Sequence, residues 1–155
     1  MPRAELRIQW ARLDGLGARD FHAAKLLRDA VFVVEQNCVY QDTDAFDLQC
    51  WHLLLWSGQD LAAYLRVTDP GSKYAEPSLG RVLTAPAYRG QGLGQVLLTE
   101  ALRRCASSWP GQANRIGAQH YLLKFYQSFG FEPVSEIYLE DGIPHVEMLR
   151  ACIGA

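Results

Sequence analysis

Residues 87–102, AYRGQGLGQVLLTEAL, constrain the fold of this chain more than any other stretch. Gly90, Gly92 and Gly94 stand where a strand-like segment, LGRVLT, gives way to an apolar pattern at helical spacing. Glycine clusters normally mark turns, and here the turn leads into the helix without a spacer. The pattern therefore predicts a strand, a glycine-rich turn and a helix in direct succession.

Such a turn is suited to binding an anion. The N–H groups of a first helical turn have no partner within the helix, and the helix dipole favours negative charge beside them. Glycines leave these groups uncovered and permit left-handed backbone, and Arg89 adds a positive charge. We therefore predict a pyrophosphate site. A glycine-rich surface turn without a ligand is the alternative that this segment alone leaves open.

Other phosphate-binding loops match less well. A Walker A loop ends in Gly-Lys-Ser or Gly-Lys-Thr, whereas Gln95 follows Gly94 here. The dinucleotide fingerprint requires a glycine three positions after Gly92, and that position is also Gln95.

The order of the remaining patterns predicts the fold class. Alternation in LRIQWARL predicts a strand, and helical spacing follows it through Val31 and Val34, with Asp20 as the expected N-cap. Apolar runs on either side of SGQD predict a hairpin, as they do around Asp141-Gly142. We expect an α+β fold in which helices flank a single mixed, mostly antiparallel sheet, formed as one domain over residues 1–155.

Composition excludes several classes of function. The net charge is −2 without a basic patch, so we expect no nucleic-acid partner. No apolar run reaches the roughly 18 residues of a membrane span, and the first residues lack the apolar core of a secretion signal. We therefore expect a cytoplasmic protein without a membrane partner. The four cysteines form no C-x-x-C pair, and Cys50 with His52 lacks further ligands, so no metal is expected.

Two motifs resemble those of the GCN5-related N-acetyltransferases (GNAT superfamily). Arg89-x-x-Gly92-x-Gly94, after a strand and opening a helix, resembles their acetyl-CoA loop. FYQSFGF, residues 125–131, resembles their second motif, an aromatic-rich helix that closes on Gly-Phe. The order of elements is similar over nearly the whole chain. RDAVFVVEQNCVYQDTDAFD and DGIPHVEM resemble the ElaA-like branch in particular.

The resemblance implies direct transfer of an acetyl group from acetyl-CoA, as co-substrate, to a primary amine in a ternary complex without a metal. The strand before the loop would diverge from its neighbour and bind the pantetheine arm through its main chain. Gln119 stands where many relatives have asparagine. The acceptor would be a small-molecule or peptide amine, and a homodimer is the expected oligomer. The residues expected to contact the cofactor are Val82, Leu83, Thr84, Arg89, Gly90, Gln91, Gly92, Leu93, Gly94, Gln119 and Tyr126.

The resemblance also implies catalytic residues. Tyr126 matches the tyrosine that protonates the departing thiolate in many relatives, although a core aromatic residue would fit the same pattern. An amine of the lysine type has a pKa of about 10.4 and must lose a proton before it attacks. Glu35, at the expected end of the first helix, is a candidate base or ammonium anchor. His145, on the last hairpin, is a candidate proton relay.

The candidate acceptor contacts are less specific. Asp42 and Asp44, in an acidic segment, would attract a cationic acceptor, and Glu35 and His52 are further candidates. Each has a plain structural alternative, namely a solvated carboxylate or a hydrogen-bonded core histidine. Arg66 is expected to pair with an acidic neighbour and receives no catalytic role.

Three other functions remain open, and one of them is a phosphate-binding fold without acyl chemistry. The domain could bind acetyl-CoA as a sensor module without turnover. Alternatively, RDAVF, residues 28–32, resembles an Arg-x-x-Val-Phe motif of acyl-homoserine-lactone synthases, which share the fold. Those synthases are generally longer and lack an RGQGLG loop, so we expect an acetyltransferase with a similar acceptor helix.

Overall fold

The computed structural model describes residues 5–152, which form strands on both sides of a central split and helices on both faces. The strands are β1 Leu6–Arg12, β2 Trp51–Ser57, β3 Asp60–Thr68, β4 Ser78–Thr84, β5 Asn114–Gln119, β6 Phe131–Pro133, β7 Tyr138–Glu140 and β8 Ile143–Arg150. The α-helices are α1 Ala18–Arg28, α2 Leu93–Ser108 and α3 Leu123–Gln127. Short 3₁₀ turns occupy Leu13–Gly15, Ala45–Leu48, Pro86–Tyr88 and His120–Leu122.

The strands form two antiparallel halves. One half has the order β1-β2-β3-β4, and the other has the order β5-β8-β6 with β7 also paired to β8. Strands β4 and β5 are adjacent where they begin, because Arg115 N donates to Pro77 O at 3.2 Å. Beyond that point the two strands form no ladder within residues 5–152. The predicted α+β fold with a mostly antiparallel sheet is confirmed, and the sheet is open along its middle.

Strand periodicity assigns each face of the sheet to a helix layer. Ile116 and Ala118 of β5, with Val146 and Met148 of β8, are buried in the core beneath α2 and α3. Because side chains alternate along a strand, the intervening positions face the α1 side. A smaller core on that side contains Val31, Phe32 and Tyr64 among others.

The first helix differs from its prediction at both ends. Gly17 is the N-cap, and the Asp20 carboxylate instead accepts a hydrogen bond from Gln9 Nε2 at 3.0 Å, so the predicted Asp20 cap is wrong. After Arg28 the helix continues as a π-helix over Asp29–Glu35. The wider turns are marked by Gln36 N donating to Val31 O at 3.2 Å.

A buried cluster of charges links the acidic segment, residues 41–47, to the sheet. Arg28, wholly buried, donates to Asp42 at 2.8 Å and to Asp47 at 2.7 Å. Arg66 of β3 donates to Asp47 at 2.9 Å and to Asp44 at 2.6 and 2.7 Å. Burial alone would raise the pKa of Asp47, but hydrogen bonds from Arg28 and the positive charge around it outweigh burial and lower that pKa to about 2. The stability from this carboxylate is therefore present at neutral pH and lost as the pH falls from about 4 to about 2.

Replacing Arg28 by methionine tests this cluster. We expect Arg28→Met to lower the free energy of unfolding by about 3–5 kcal/mol, because two buried carboxylates lose a partner. Urea denaturation at neutral pH measures the loss. Arg103→Met is the control, since that side chain is 63% exposed and pairs with Glu100 at the surface, and we expect no measurable loss from it. Equal losses in the two variants would contradict a structural role for the buried cluster.

Candidate functional site

A cavity of about 470 Å³ occupies the split between β4 and β5. Its walls come from the π-helical segment, both diverging strands, α3 and the β7–β8 hairpin. The cavity therefore connects the two faces of the sheet. The predicted site residues that line it are Glu35, Val82, Leu83, Thr84, Arg89, Gly94, Gln119, Tyr126 and His145.

A β-bulge interrupts β4 at the cavity. Tyr64 pairs with Leu83 and Arg66 pairs with Gly80, so a single residue of β3 opposes both Arg81 and Val82. Arg81 adopts a left-handed backbone with φ of 51°. A bulge leaves main-chain groups outside the ladder, and here those groups border the cavity. The sequence pattern gave no sign of the bulge, because arginine is not a residue that favours positive φ.

The glycine loop leaves the start of α2 uncovered. Gly92 is the N-cap with φ of 76°, and Gly90 has φ of 78°. A Cβ atom added at either position would meet nothing within 4 Å. At Gly94 a Cβ atom would instead lie 3.4 Å from the Phe125 ring, so this glycine permits close packing of α2 against α3. No side chain caps the helix at Gly92, and its first N–H groups are therefore available to a ligand.

Glu35 and Arg89, predicted separately, contact each other. Arg89 Nη1 and Nη2 donate to the two oxygens of Glu35 at 2.7 Å each, and both side chains are about half exposed. The hydrogen bonds from Arg89 lower the pKa of Glu35. A carboxylate with a lowered pKa is a weaker proton acceptor, which disfavours Glu35 as a general base.

Tyr126 lies at the wall of the cavity on the α3 side. It is buried, and its ring packs edge-on against Phe125 and Phe131, with centroids 5.3 and 5.9 Å away. Burial raises the pKa of Tyr126 above its ordinary value. The hydroxyl therefore keeps its proton near neutral pH and is suited to donating it or a hydrogen bond.

Gln119 pairs with Gln36 across the split. Each amide nitrogen lies 3.3 Å from the oxygen of the other side chain. Gln36 follows the π-helix, and Gln119 ends β5. The pair therefore joins the segment after the first helix to the second half of the sheet. Gln36 was not among the predicted site residues.

Asp42 and Asp44 form ion pairs with lysine and arginine side chains of this chain. They do not form the negative surface that was expected to attract a cationic acceptor. Asp42 is buried and contacts Lys25, Arg28 and Arg81, whereas Asp44 accepts from Arg66 and Arg81. Neither residue lines the cavity. Their placement disfavours the prediction that they contact the acceptor. The expected acidic partner of Arg66 is confirmed.

His52 is also structural. Its Nδ1 lies 2.7 Å from the Tyr64 hydroxyl and its Nε2 lies 3.0 Å from Asp47 O, and the side chain is wholly buried outside the cavity. Burial lowers the pKa of His52, so the ring stays neutral. These contacts correct the expectation that His52 binds the acceptor.

Asp47, Cys50 and His52 place one ligand atom each within 4.8 Å of one another. However, two arginines contact Asp47, and both nitrogens of His52 have partners. Two guanidinium groups beside the carboxylate repel a divalent cation, so these residues do not fit a metal site.

His145 lines the cavity together with a carboxylate that sequence reasoning missed. Its Nδ1 lies 2.7 Å from Ile143 O, and its Nε2 lies 3.2 Å from Glu140 Oε2. A carbonyl and a carboxylate both accept hydrogen bonds, so Nδ1 donates to Ile143, and the Glu140 contact is complete when Nε2 also carries a proton. Lys73 and Arg81 line the same region. They stand in a turn-rich loop and in a strand, where no sequence pattern distinguished them.

Comparisons with known proteins agree with this geometry. The family model described as an acetyltransferase (GNAT) domain matches residues 23–152. Protein ElaA of Escherichia coli (strain K12) is 44% identical over 152 residues, covering 96% of this chain and 99% of that protein. Separately, none of the helices within residues 5–152 has the length and apolar character that crossing a membrane requires.

Solved structures show the same likeness. An acyl-CoA N-acyltransferase from Pseudomonas aeruginosa superposes with a TM-score of 0.90 at 40% identity, covering 95% of this chain and all of that chain (100%). The crystal structure of Escherichia coli ElaA gives a TM-score of 0.88 at 42% identity, covering 94% and 99% of the two chains. The split sheet, the open helix terminus and these matches lead to one conclusion: this chain belongs to the GNAT superfamily of acyltransferases, in its ElaA-like branch.

Proposed function

We propose that this protein transfers an acetyl group from acetyl-CoA to a primary amine by direct attack within a ternary complex. The observation that carries the proposal is the uncovered first turn of α2 at one end of a cavity that crosses the sheet. Such a cavity can admit a long donor from one face and a separate acceptor from the other.

The donor side is built mainly from main chain. The pyrophosphate would bind along Gly90, Gln91, Gly92, Leu93 and Gly94, where α2 begins and its dipole favours negative charge. The pantetheine arm would extend along Val82, Leu83 and Thr84 and pair with β4 as an added strand. The bulge at Arg81 would leave a main-chain N–H for the thioester oxygen, which gains negative charge during attack.

Two residues move protons in the proposed reaction. Tyr126 is protonated before the reaction, and it donates its hydroxyl proton to the departing thiolate. His145 takes the proton of the attacking amine on Nε2, and Glu140 stabilises the resulting imidazolium through the 3.2 Å contact. Glu35 is assigned to Arg89 and to the donor end, because both of its oxygens are already bound there.

Specific observations disfavour two alternative functions, a sensor without turnover and an acyl-homoserine-lactone-synthase-like enzyme. A sensor without turnover would not need Tyr126 and the His145–Glu140 pair to face the same cavity. In the motif resembling acyl-homoserine-lactone synthases, Arg28 is wholly buried against Asp42 and Asp47. That arginine holds the acidic segment in this chain and does not reach the cavity.

Gly92→Val tests the donor site. A branched side chain over the first N–H groups should weaken acetyl-CoA binding by about tenfold or more, which isothermal titration measures. Gly111→Val is the matched control, because Gly111 has φ of 80° and open space around its Cβ position but lies after α2. Normal acetyl-CoA binding by Gly92→Val would overturn the assignment of the loop.

Tyr126→Phe tests the general acid. We expect kcat for thiol release to fall by about tenfold or more, while the Kd for acetyl-CoA changes little, because the phenyl ring keeps the packing of the tyrosine. Tyr88→Phe is the control, because it removes a hydroxyl that lies outside the cavity and donates to Asp60 at 2.6 Å, and it should leave kcat unchanged. An unchanged kcat in Tyr126→Phe would remove this residue from the mechanism.

Glu35→Gln separates two roles for the carboxylate. If Glu35 only restrains Arg89, its loss frees the guanidinium for the pyrophosphate and removes a nearby negative charge. The Kd for acetyl-CoA should then fall by about fivefold with kcat nearly unchanged. Glu100→Gln, which breaks a surface pair with Arg103 on α2, is the control. A large loss of kcat in Glu35→Gln would instead identify Glu35 as the base.

A further inference from the structure

The acceptor side of the cavity contains an unusual set of charges. The cavity crosses the sheet, and on the face opposite α2 it is lined by Arg66, Lys73, Arg81 and Glu140 together with His145. These groups belong to β3, the β3–β4 loop, β4 and the β7–β8 hairpin. Three of them are cations, although the acidic segment predicted an acceptor side that is negative.

Two of the three cations already have carboxylate partners. Arg66 contacts Asp44 and Asp47, and Arg81 contacts Asp42 and Asp44. Carboxylates of the same chain neutralise each guanidinium, so neither arginine offers an unpaired positive charge to a ligand in the cavity. These arginines shape the wall and hold the segment after the π-helix in place.

Lys73 differs from both arginines. Within residues 5–152 its Nζ has no carboxylate oxygen within the 4.0 Å of an ion pair, and it lies 5.5 Å from the centroid of the Tyr74 ring. The residue is exposed as a whole, yet it lines the cavity, and burial around its ammonium lowers the pKa of Lys73 while the charge of Glu140 opposes that change. A cation that lines a cavity without a direct counter-ion can bind an anion through a charge-assisted hydrogen bond.

Hydroxyl donors lie close to the same wall. A Cβ atom added to Gly117 of β5 would lie 2.9 Å from the Tyr138 hydroxyl and 3.5 Å from the Tyr74 hydroxyl. Burial raises the pKa of Tyr74 to about 12, so that hydroxyl stays protonated. Gly117 lines the cavity, whereas Tyr74 and Tyr138 do not, so the two hydroxyls lie behind this part of its wall.

The acceptor side is also closed above by contacts between distant segments. Gln36 and Gln119 bond each other at 3.3 Å, and Cys38 Sγ donates to Asp141 O at 3.3 Å. Both contacts join the segment after the first helix to the second half of the sheet. These bridges narrow the space between the two halves of the sheet and favour a small acceptor over a polypeptide chain.

From this arrangement we infer that the acceptor is a small amine that also carries a carboxylate, and that Lys73 binds the carboxylate while Glu140 and His145 receive the amine. The inference rests on the proposed function, because it names the acceptor class of the same site. Lys73 and Glu140 offer charges of opposite sign on one wall, which complements a zwitterion. An amine without an anionic group would leave the Lys73 ammonium without a counter-ion.

The test compares amines that differ only in the anionic group. The purified full-length protein, acetyl-CoA and each acceptor are assayed for thiol release, with products identified by mass spectrometry. The pairs are β-alanine against propylamine, and alanine against alaninamide. We expect kcat/KM to be about tenfold or more higher for the acid of each pair, as a charge-assisted hydrogen bond provides.

Variants then assign the preference to Lys73. Lys73→Met, which keeps the length of the side chain and removes its charge, should raise the KM of the acids about tenfold and leave the neutral amines and the Kd of acetyl-CoA unchanged. Lys73→Arg should restore much of the preference. Lys124→Met is the control, because Lys124 is an exposed lysine of α3 outside the cavity.

The outcomes separate the two proposals. Acetyl-CoA binding and amine acetylation without preference for the acids would overturn the acceptor class and leave the proposed function standing. A preference for the acids that survives Lys73→Met would overturn the role of Lys73. Absence of both acetyl-CoA binding and amine acetylation would overturn the proposed function and the acceptor class with it.

Discussion

The failure of β4 and β5 to pair is the constraint on which the rest of the structure depends. Adjacent strands normally satisfy each other's backbone groups, and these two meet at Arg115 and Pro77 and then diverge. The bulge at Arg81 and Val82 lies on the open edge. A sheet split in this way has main chain to offer a ligand at its centre, where a continuous sheet would have none.

The buried ion pairs explain why the acidic segment does not define the acceptor. Three arginines on α1, β3 and β4 face three aspartates of that segment. Each charge would be costly to bury without its partners, so the carboxylates are committed to the fold. The electrostatic character of the proposed acceptor side therefore comes from side chains outside this cluster, namely Lys73 and Glu140.

Local patterns predicted much of the fold and the backbone of the glycine loop. Glycine at 90 and 92 indicated left-handed backbone at a helix start, and alternation in strands indicated the sheet. Features that depend on contacts between distant residues, such as the π-helix and the buried ion pairs, could not be predicted from local patterns. Val34 fits a 3.6-residue helical face but is exposed, because the helix widens to a π-helix there. Asp42 and His52 looked available in the sequence, whereas their partners lie in other elements.

The contact between Arg89 and Glu35 links the two ends of the cavity. Glu35 ends the π-helix, which borders the proposed acceptor side, and Arg89 precedes the glycine loop of the proposed donor side. If the pyrophosphate takes Arg89, Glu35 loses its counter-ion and its charge becomes available near the acceptor entrance. In the proposed reaction, donor binding would therefore change the field that an incoming ammonium group meets, which couples the two ends of the cavity.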